Sequence, residues 1–231
     1  MKTSMVKFLL AMPALTIAVF LYSPIKNAEG GTMDQIRLPL PERKGAVSVE
    51  EALAERRSRR KYTNKPLSLN ELSQVLWSAQ GITSDWGGRT APSAGATYPI
   101  EVYTVVGNVE NLNPGVYHYI PLAHSLALIA DGDIRRQLSR AALGQEMVRE
   151  APVTLVIAAV YERTTARYGG RGIRYVYMEA GHIGENIYLQ AESLNLATVA
   201  VGAFDDAGVK SVLGIKEEPL YLMPLGKKLG E

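Results

Sequence analysis

Apolar residues recur along this chain at two periods, and the switches between them mark its elements. The longest helical stretch begins at Arg171, where Tyr177, Ile183, Ile187 and Leu194 recur at helical spacing with Ala180, Gly181 and Gly184 between them. Charged residues are sparse along it, which predicts a helix buried on most sides. Asn195 breaks the pattern, and Ala197 to Phe204 becomes a strand-like run with Gly202 near its end. A glycine there lets backbone approach something flat or closely packed. Two earlier helices open on capping boxes. Ser48 with Glu51 starts one that runs through Leu53 to about Arg57, and Ser68 with Glu71 starts one holding Leu72, Val75, Leu76 and Trp77 that stops near Gly81.

Alternating or β-branched runs give the strands. Ile100 to Val106 is one, and Val116 to Ile120 with Leu126 to Ile129 form a hairpin around His124 after the Asn113-Pro114-Gly115 turn. Pro152 to Tyr161 has the length and apolarity of a buried strand, and Pro219 to Leu225 is the last. Asp133 to Leu143 reads as a short amphipathic helix capped by Asp131 or Asp133, and Asp205 opens another through Val212. Gly31 to Gly45 reads as an extended lead-in, Thr83 to Tyr98 as a loop, and Glu162 to Arg174 as a polar, arginine-rich link. The irregular alternation, with a hairpin in its middle, favours an α+β sheet over a doubly wound parallel one.

The first residues follow another pattern. Lys2 and Lys7 precede an almost wholly apolar run from Phe8 to Tyr22, followed by a short polar stretch to Gly31. That is the layout of a secretory signal or an N-terminal membrane anchor. The run is short for a spanning helix of about 20 residues and contains Pro13, and Lys26 fits poorly before a cut at Ala28. We expect an exported or membrane-tethered protein, with residues 1–31 as leader and 32–231 as one domain.

The formal net charge of +2 is too mild to argue for nucleic acid or an acidic membrane, and the lack of cysteine removes disulfides and thiolate chemistry. His118, His124 and His182 are widely spaced and match no metal motif, so no metal site is expected. His182 itself reads as a hydrogen-bonded core histidine. No GxGxxG, GxSxG or serine-triad layout is present.

Two stretches carry candidate chemistry. The run Arg56-Arg57-Ser58-Arg59-Arg60-Lys61 reads either as a solvated helix end or as a phosphate cradle, since guanidinium groups offer forked donors and Ser58 adds a hydroxyl. It is too short for a nucleic-acid footprint. The loop Pro92 to Pro99 offers Ser93, Thr97 and backbone N–H groups opened by Gly95, or is an ordinary surface loop.

In order, RRSRRKY, PSAGATYPIEVY, PGVYHY, YMEAGHIGENIYLQAESLNLATVAVGAF and PLYLMPLGKK resemble the nitroreductase-like FMN oxidoreductases. The likeness is strongest to the SagB-type branch, which includes thiazoline and oxazoline dehydrogenases, and covers about Glu50 to Lys228. It implies an α+β nitroreductase fold, with a mostly antiparallel sheet flanked by helices, and a homodimer with FMN at its interface. It implies that Arg56, Arg57, Ser58 and Arg60 hold the FMN phosphate and ribityl chain, joined by Lys227 or Lys228. Ser93, Ala94 and Gly95 would line the ring, and Gly202 and Ala203 would place N–H groups near flavin N5. Small residues suit a flat ring, and donors suit charge that grows on reduction.

The same resemblance places Arg167 and Tyr168 where azoline dehydrogenases carry a Lys-Tyr pair. Arginine stays protonated and cannot act as a base, whereas a phenol can donate a proton; the alternative reading is that both residues only cap the Gly169-Gly170 loop. The expected activity is NAD(P)H-linked reduction of a small organic acceptor. The alternatives are azoline peptide oxidation, a flavin-consuming or dehalogenating reaction, and non-catalytic flavin binding.

Overall fold

The computed structural model describes residues 35–229. The leader expected in residues 1–31 lies outside them. Among the described residues no helix is long and apolar enough to cross a membrane.

Seven antiparallel strands form one sheet in the order β1-β4-β3-β2-β5-β7-β6. They are β1 (Gln35–Arg37), β2 (Ile100–Val106), β3 (Gly115–Ile120), β4 (Ser125–Asp131), β5 (Val153–Ala159), β6 (Leu196–Thr198) and β7 (Glu218–Lys227). The helices are α1 (Val49–Glu55), α2 (Leu69–Gln80), α3 (Arg135–Ala141), α4 (Glu146–Glu150), α5 (Glu162–Tyr168), α6 (Arg171–Ser193) and α7 (Asp206–Leu213).

The period-two rule of strands sorts the central residues onto two faces. Val153, Leu155, Ile157 and Ala159 of β5 join Leu72, Val75 and Leu76 of α2 and Val176, Ile183 and Ile187 of α6 in one core. Val156 and Ala158 turn the other way and pack with Leu138 of α3 and Val209 and Leu213 of α7. β5, buried at every position, lies between β2 and β7. Each fully buried aliphatic side chain of this kind contributes about 1.5–3 kcal/mol.

Both capping boxes form hydrogen bonds at their helix starts. Ser68 Oγ accepts from the Glu71 N–H while Glu71 accepts from the Ser68 N–H, and Ser48 Oγ accepts from the Glu51 N–H. Several expected elements differ. α1 ends at Glu55, so the arginine run is extended chain rather than a helix end, tied to β6 by Arg59 N–H to Thr198 O at 2.9 Å. The lead-in contains β1, which pairs with β4. α4 adds a helical turn that apolar spacing did not announce. The link after β5 is helical over Glu162–Tyr168. The run after Asn195 is strand only to Thr198, and beyond it Val201 makes an isolated bridge to Leu222. Asp205 stands at the α7 N-cap but makes no side-chain cap bond, and the α3 N-cap is Ile134 rather than an aspartate, with Asp133 one residue ahead of it accepting the Arg135 N–H at 3.1 Å.

α6 is also less enclosed than expected. Gly172, Val176, Glu179, Ala180, Ile183, Gly184, Ile187 and Ala191 face the core, but Tyr177 is 55% and Met178 50% exposed. One face is buried, and the open face mixes Ile173, Tyr177 and Met178 with Arg171, Arg174, His182 and Glu185.

Candidate functional site

Three of the predicted groups lie against α6 or the strands beside it. At its C-terminal end, Ser58 Oγ and Tyr188 Oη are 2.9 Å apart, and the same phenol accepts the Ala200 N–H at 2.7 Å. The Arg56 guanidinium lies over the Tyr188 ring, 5.2 Å from its centre. Arg59 donates to Glu192 at 2.8 Å, and Lys228 pairs with the same carboxylate. Lys227 turns instead to Glu71 on α2. Both C-terminal lysines are thus neutralised, while Arg56, Arg57 and Arg60 have no carboxylate partner among the described residues. Arg57 bends back to give hydrogen bonds to Ala54 O and Arg56 O, both 2.8 Å.

Halfway along α6 lies the loop Pro92 to Tyr98. Ser93 Oγ accepts the Tyr98 N–H at 2.9 Å, closing the loop on itself. Gly95 has φ +61°, and a Cβ there would come within 2.5 Å of Tyr168 Oη and 2.7 Å of Arg167 Nη1. The left-handed backbone favours glycine here, and its lack of a Cβ leaves room for the ends of the Tyr168 and Arg167 side chains. Arg167 Nη1 donates to Gly95 O at 3.1 Å, so both residues of the pair touch the loop. α5 is fixed there by Thr164 Oγ1, 2.8 Å from Thr97 Oγ1, and by Arg163, which reaches Tyr98 O at 3.0 Å and Glu101 at 2.5 Å.

Beneath the loop is a polar cluster that apolar periodicity could not reveal. Glu179 of α6 is only 2% exposed and accepts from Gln80 Nε2 at 3.5 Å, beside the Ser93 hydroxyl and the Arg89 guanidinium. Burial pushes its carboxyl above the usual range, against the lowering effects of Ser93, Gln80 and Arg89. Arg89 donates to Gln80 Oε1 at 2.8 Å and lies over the Tyr98 ring at 4.3 Å. His182, expected in the core, is exposed on the outer face of α6, with Nδ1 3.3 Å from Pro92 O.

Gly202 and Ala203 are exposed in the irregular chain after β6. Ala203 O accepts from Gln145 Nε2 at 2.8 Å. A Cβ on Gly202 would meet only the Tyr221 ring, at an ordinary 3.7 Å, so packing within this chain does not account for the glycine. Gly181 of α6 has nothing within 4 Å of its Cβ position, although a glycine within a helix costs about 1 kcal/mol relative to alanine. Both open glycines leave room for a flat group to lie against backbone. His182 to Tyr188 spans six residues, or about 9 Å of helix. The glycine loop and the arginine run thus meet α6 at points about 9 Å apart along its axis.

The sequence reading missed Tyr188, Glu192, Glu71, Glu179 and Arg89. Tyr188 and Glu192 are four apart on α6, and a polar pair so placed in an apolar helix points at a partner of opposite character. A separate cleft of about 820 Å³ opens between residues 39–52, α2 and the C-terminal half of α6, with Trp77, Arg89 and Leu189 on its walls. None of the predicted site residues lines it. Among the described residues no group of three metal-ligating side chains occurs.

Residues 53–227 match the model of the nitroreductase family. The chain is 50% identical over 200 residues to MJ1384 of Methanocaldococcus jannaschii, a protein with a nitroreductase name, covering 87% of this chain and 99% of that one. It is 31% identical over 135 residues to the microcin B17-processing protein McbC of Escherichia coli, covering 56% of this chain and 49% of that one. A crystal structure from Ralstonia eutropha, also bearing a nitroreductase name, superposes with a TM-score of 0.75 at 30% identity, covering 92% of this chain and all of the other.

Proposed function

The chain belongs to the nitroreductase family of oxidoreductases, and from that membership we propose that it binds FMN and uses NAD(P)H to reduce a small organic acceptor. The observation that carries this reading is that the arginine run and the glycine loop both meet α6, at Tyr188 and at His182, the latter beside the open Gly181. When bound, FMN supplies a centre that accepts hydride from one substrate and delivers electrons to the next.

The chain's own residues fit that group. Arg56, Arg57 and Arg60 supply uncompensated positive charge for a phosphate, with the Ser58 hydroxyl beside them. Lys227 and Lys228 pair with Glu71 and Glu192 and offset the negative charge these carboxylates would set against an anion in the cradle. Ser93, Ala94 and Gly95 would border the ring, and Gly202 and Ala203 would offer it backbone N–H groups. Tyr168 holds a phenolic proton next to Gly95, positioned for delivery to a substrate being reduced. Arg167 holds Gly95 O and adds permanent positive charge.

A homodimer completes the proposal. Ile173, Tyr177 and Met178 form an exposed apolar stripe on α6 that a second copy would cover. The basic-then-apolar start of the chain supports export or a membrane tether.

The similarity to McbC favours one second reading, oxidation of azoline rings in a peptide. Arg167 argues against it, because a guanidinium cannot take up the proton that such an oxidation releases. The two readings separate in parallel assays of NAD(P)H-dependent nitroaromatic or quinone reduction and of azoline peptide oxidation, on wild type, Arg167→Lys and Tyr168→Phe. Reduction should dominate in the wild type and fall in Tyr168→Phe. Efficient azoline oxidation, indifferent to both substitutions, would overturn the assignment.

A further inference from the structure

From Arg163 to Tyr175 the chain carries four arginines and no carboxylate. Arg163 is occupied by Glu101. Arg167, Arg171 and Arg174 have no carboxylate within ion-pair distance among the described residues. Two tyrosines back them. Arg167 lies over the Tyr168 ring at 5.4 Å and Arg171 over the Tyr175 ring at 5.8 Å, and the two rings meet edge to face at 5.1 Å. The ladder is fixed to the glycine loop by the Arg167 bond to Gly95 O.

Its position costs stability. Arg171 and Arg174 sit in the opening turns of α6, whose first turn contains no acid, and a helix macrodipole disfavours cations there. Solvation alone would be served as well by neutral polar residues. A cluster of unpaired guanidinium groups stacked on phenol rings suits a ligand that combines an oxyanion with a planar ring, through forked hydrogen bonds and stacking.

We propose that Arg167, Arg171 and Arg174, backed by Tyr168 and Tyr175, form a subsite beside the glycine loop for the oxyanion of a redox substrate. The substrate class is planar and anionic, either a phosphate-bearing dinucleotide donor or a carboxylate-bearing aromatic acceptor. This rests on the reading of the loop as part of the redox site.

The test uses the full chain and two substrate pairs that differ in charge. KM is measured for NADPH against NADH and for 4-nitrobenzoate against 4-nitrobenzamide, in wild type, Arg171→Gln, Arg174→Gln and Arg174→Lys. For the more negatively charged member of one pair, KM should rise about tenfold in the glutamine variants, with kcat little changed, while Arg174→Lys retains most of the preference. Which pair responds identifies the source of the anion. Direct calorimetry of 4-nitrobenzoate and NADPH binding gives a second readout that needs no turnover. Equal effects on the more and less charged member of each pair, or none in both assays, would overturn the subsite. Loss of FMN itself from wild-type protein would instead overturn the redox reading. The glutamine variants should melt no lower than wild type, because each removes a cation from a helix start.

Discussion

The Tyr188 hydroxyl stands 2.9 Å from Ser58 Oγ and accepts the Ala200 N–H at 2.7 Å, so one phenol joins the arginine cradle to the chain that leads into Gly202. Three segments meet at that oxygen, Ser58 coming from 130 residues away. Tyr188→Phe removes it and leaves a partly buried N–H without its acceptor, which costs about 1–3 kcal/mol. Urea unfolding of the variant should show that loss, and FMN affinity should fall with it. An unchanged midpoint would mean that the phenol is a bystander.

The arginines of the cradle should not contribute equally. Arg60 is exposed and free of carboxylates, whereas Arg57 gives hydrogen bonds to Ala54 O and Arg56 O. Losing one charge-assisted contact costs about 1.5–3 kcal/mol, or roughly ten- to a hundredfold in affinity. Arg60→Ala should weaken FMN by that order in calorimetric titration, and Arg57→Ala by less. The reverse ranking would show that Arg57 leaves its backbone contacts to hold the ligand.

Glu179 gives a prediction in pH. Its burial raises the carboxyl pKa above the unfolded value, so the folded protein keeps a proton that the unfolded chain releases. Stability from this group is therefore fully present below the unfolded pKa and is lost as pH rises through the folded one. Glu179→Gln should be flatter in that window and more stable above it, read as unfolding free energy against pH from about 4 to 8. A wild type that does not lose stability relative to the variant as pH rises would contradict the buried-acid reading.

Much of the frame was legible because local rules decide it. Ser68 and Glu71 announced α2, and the unbroken apolar run of β5 announced a strand buried on both faces. α5 was missed because Glu162–Tyr168 buries only Thr164 and so shows no apolar period. The spacing of Tyr177 with Ile183 identified a helix but not which apolar residues meet the core, since an open apolar position and one covered by the sheet look alike in sequence. The cradle's arginines were visible as a run. Their partners were not, because Glu192 lies 133 residues from Arg59, and Glu71 lies 156 from Lys227.

The most direct test of the central claim is a titration of protein freed of its ligand with FMN and, separately, with riboflavin, which has the same ring without the phosphate. FMN should bind, turn the protein yellow and raise its Tm, while riboflavin should bind at least about tenfold more weakly, because it forgoes the charge-assisted contacts of the cradle. Equal affinity for the two, or no binding of either, would contradict the account.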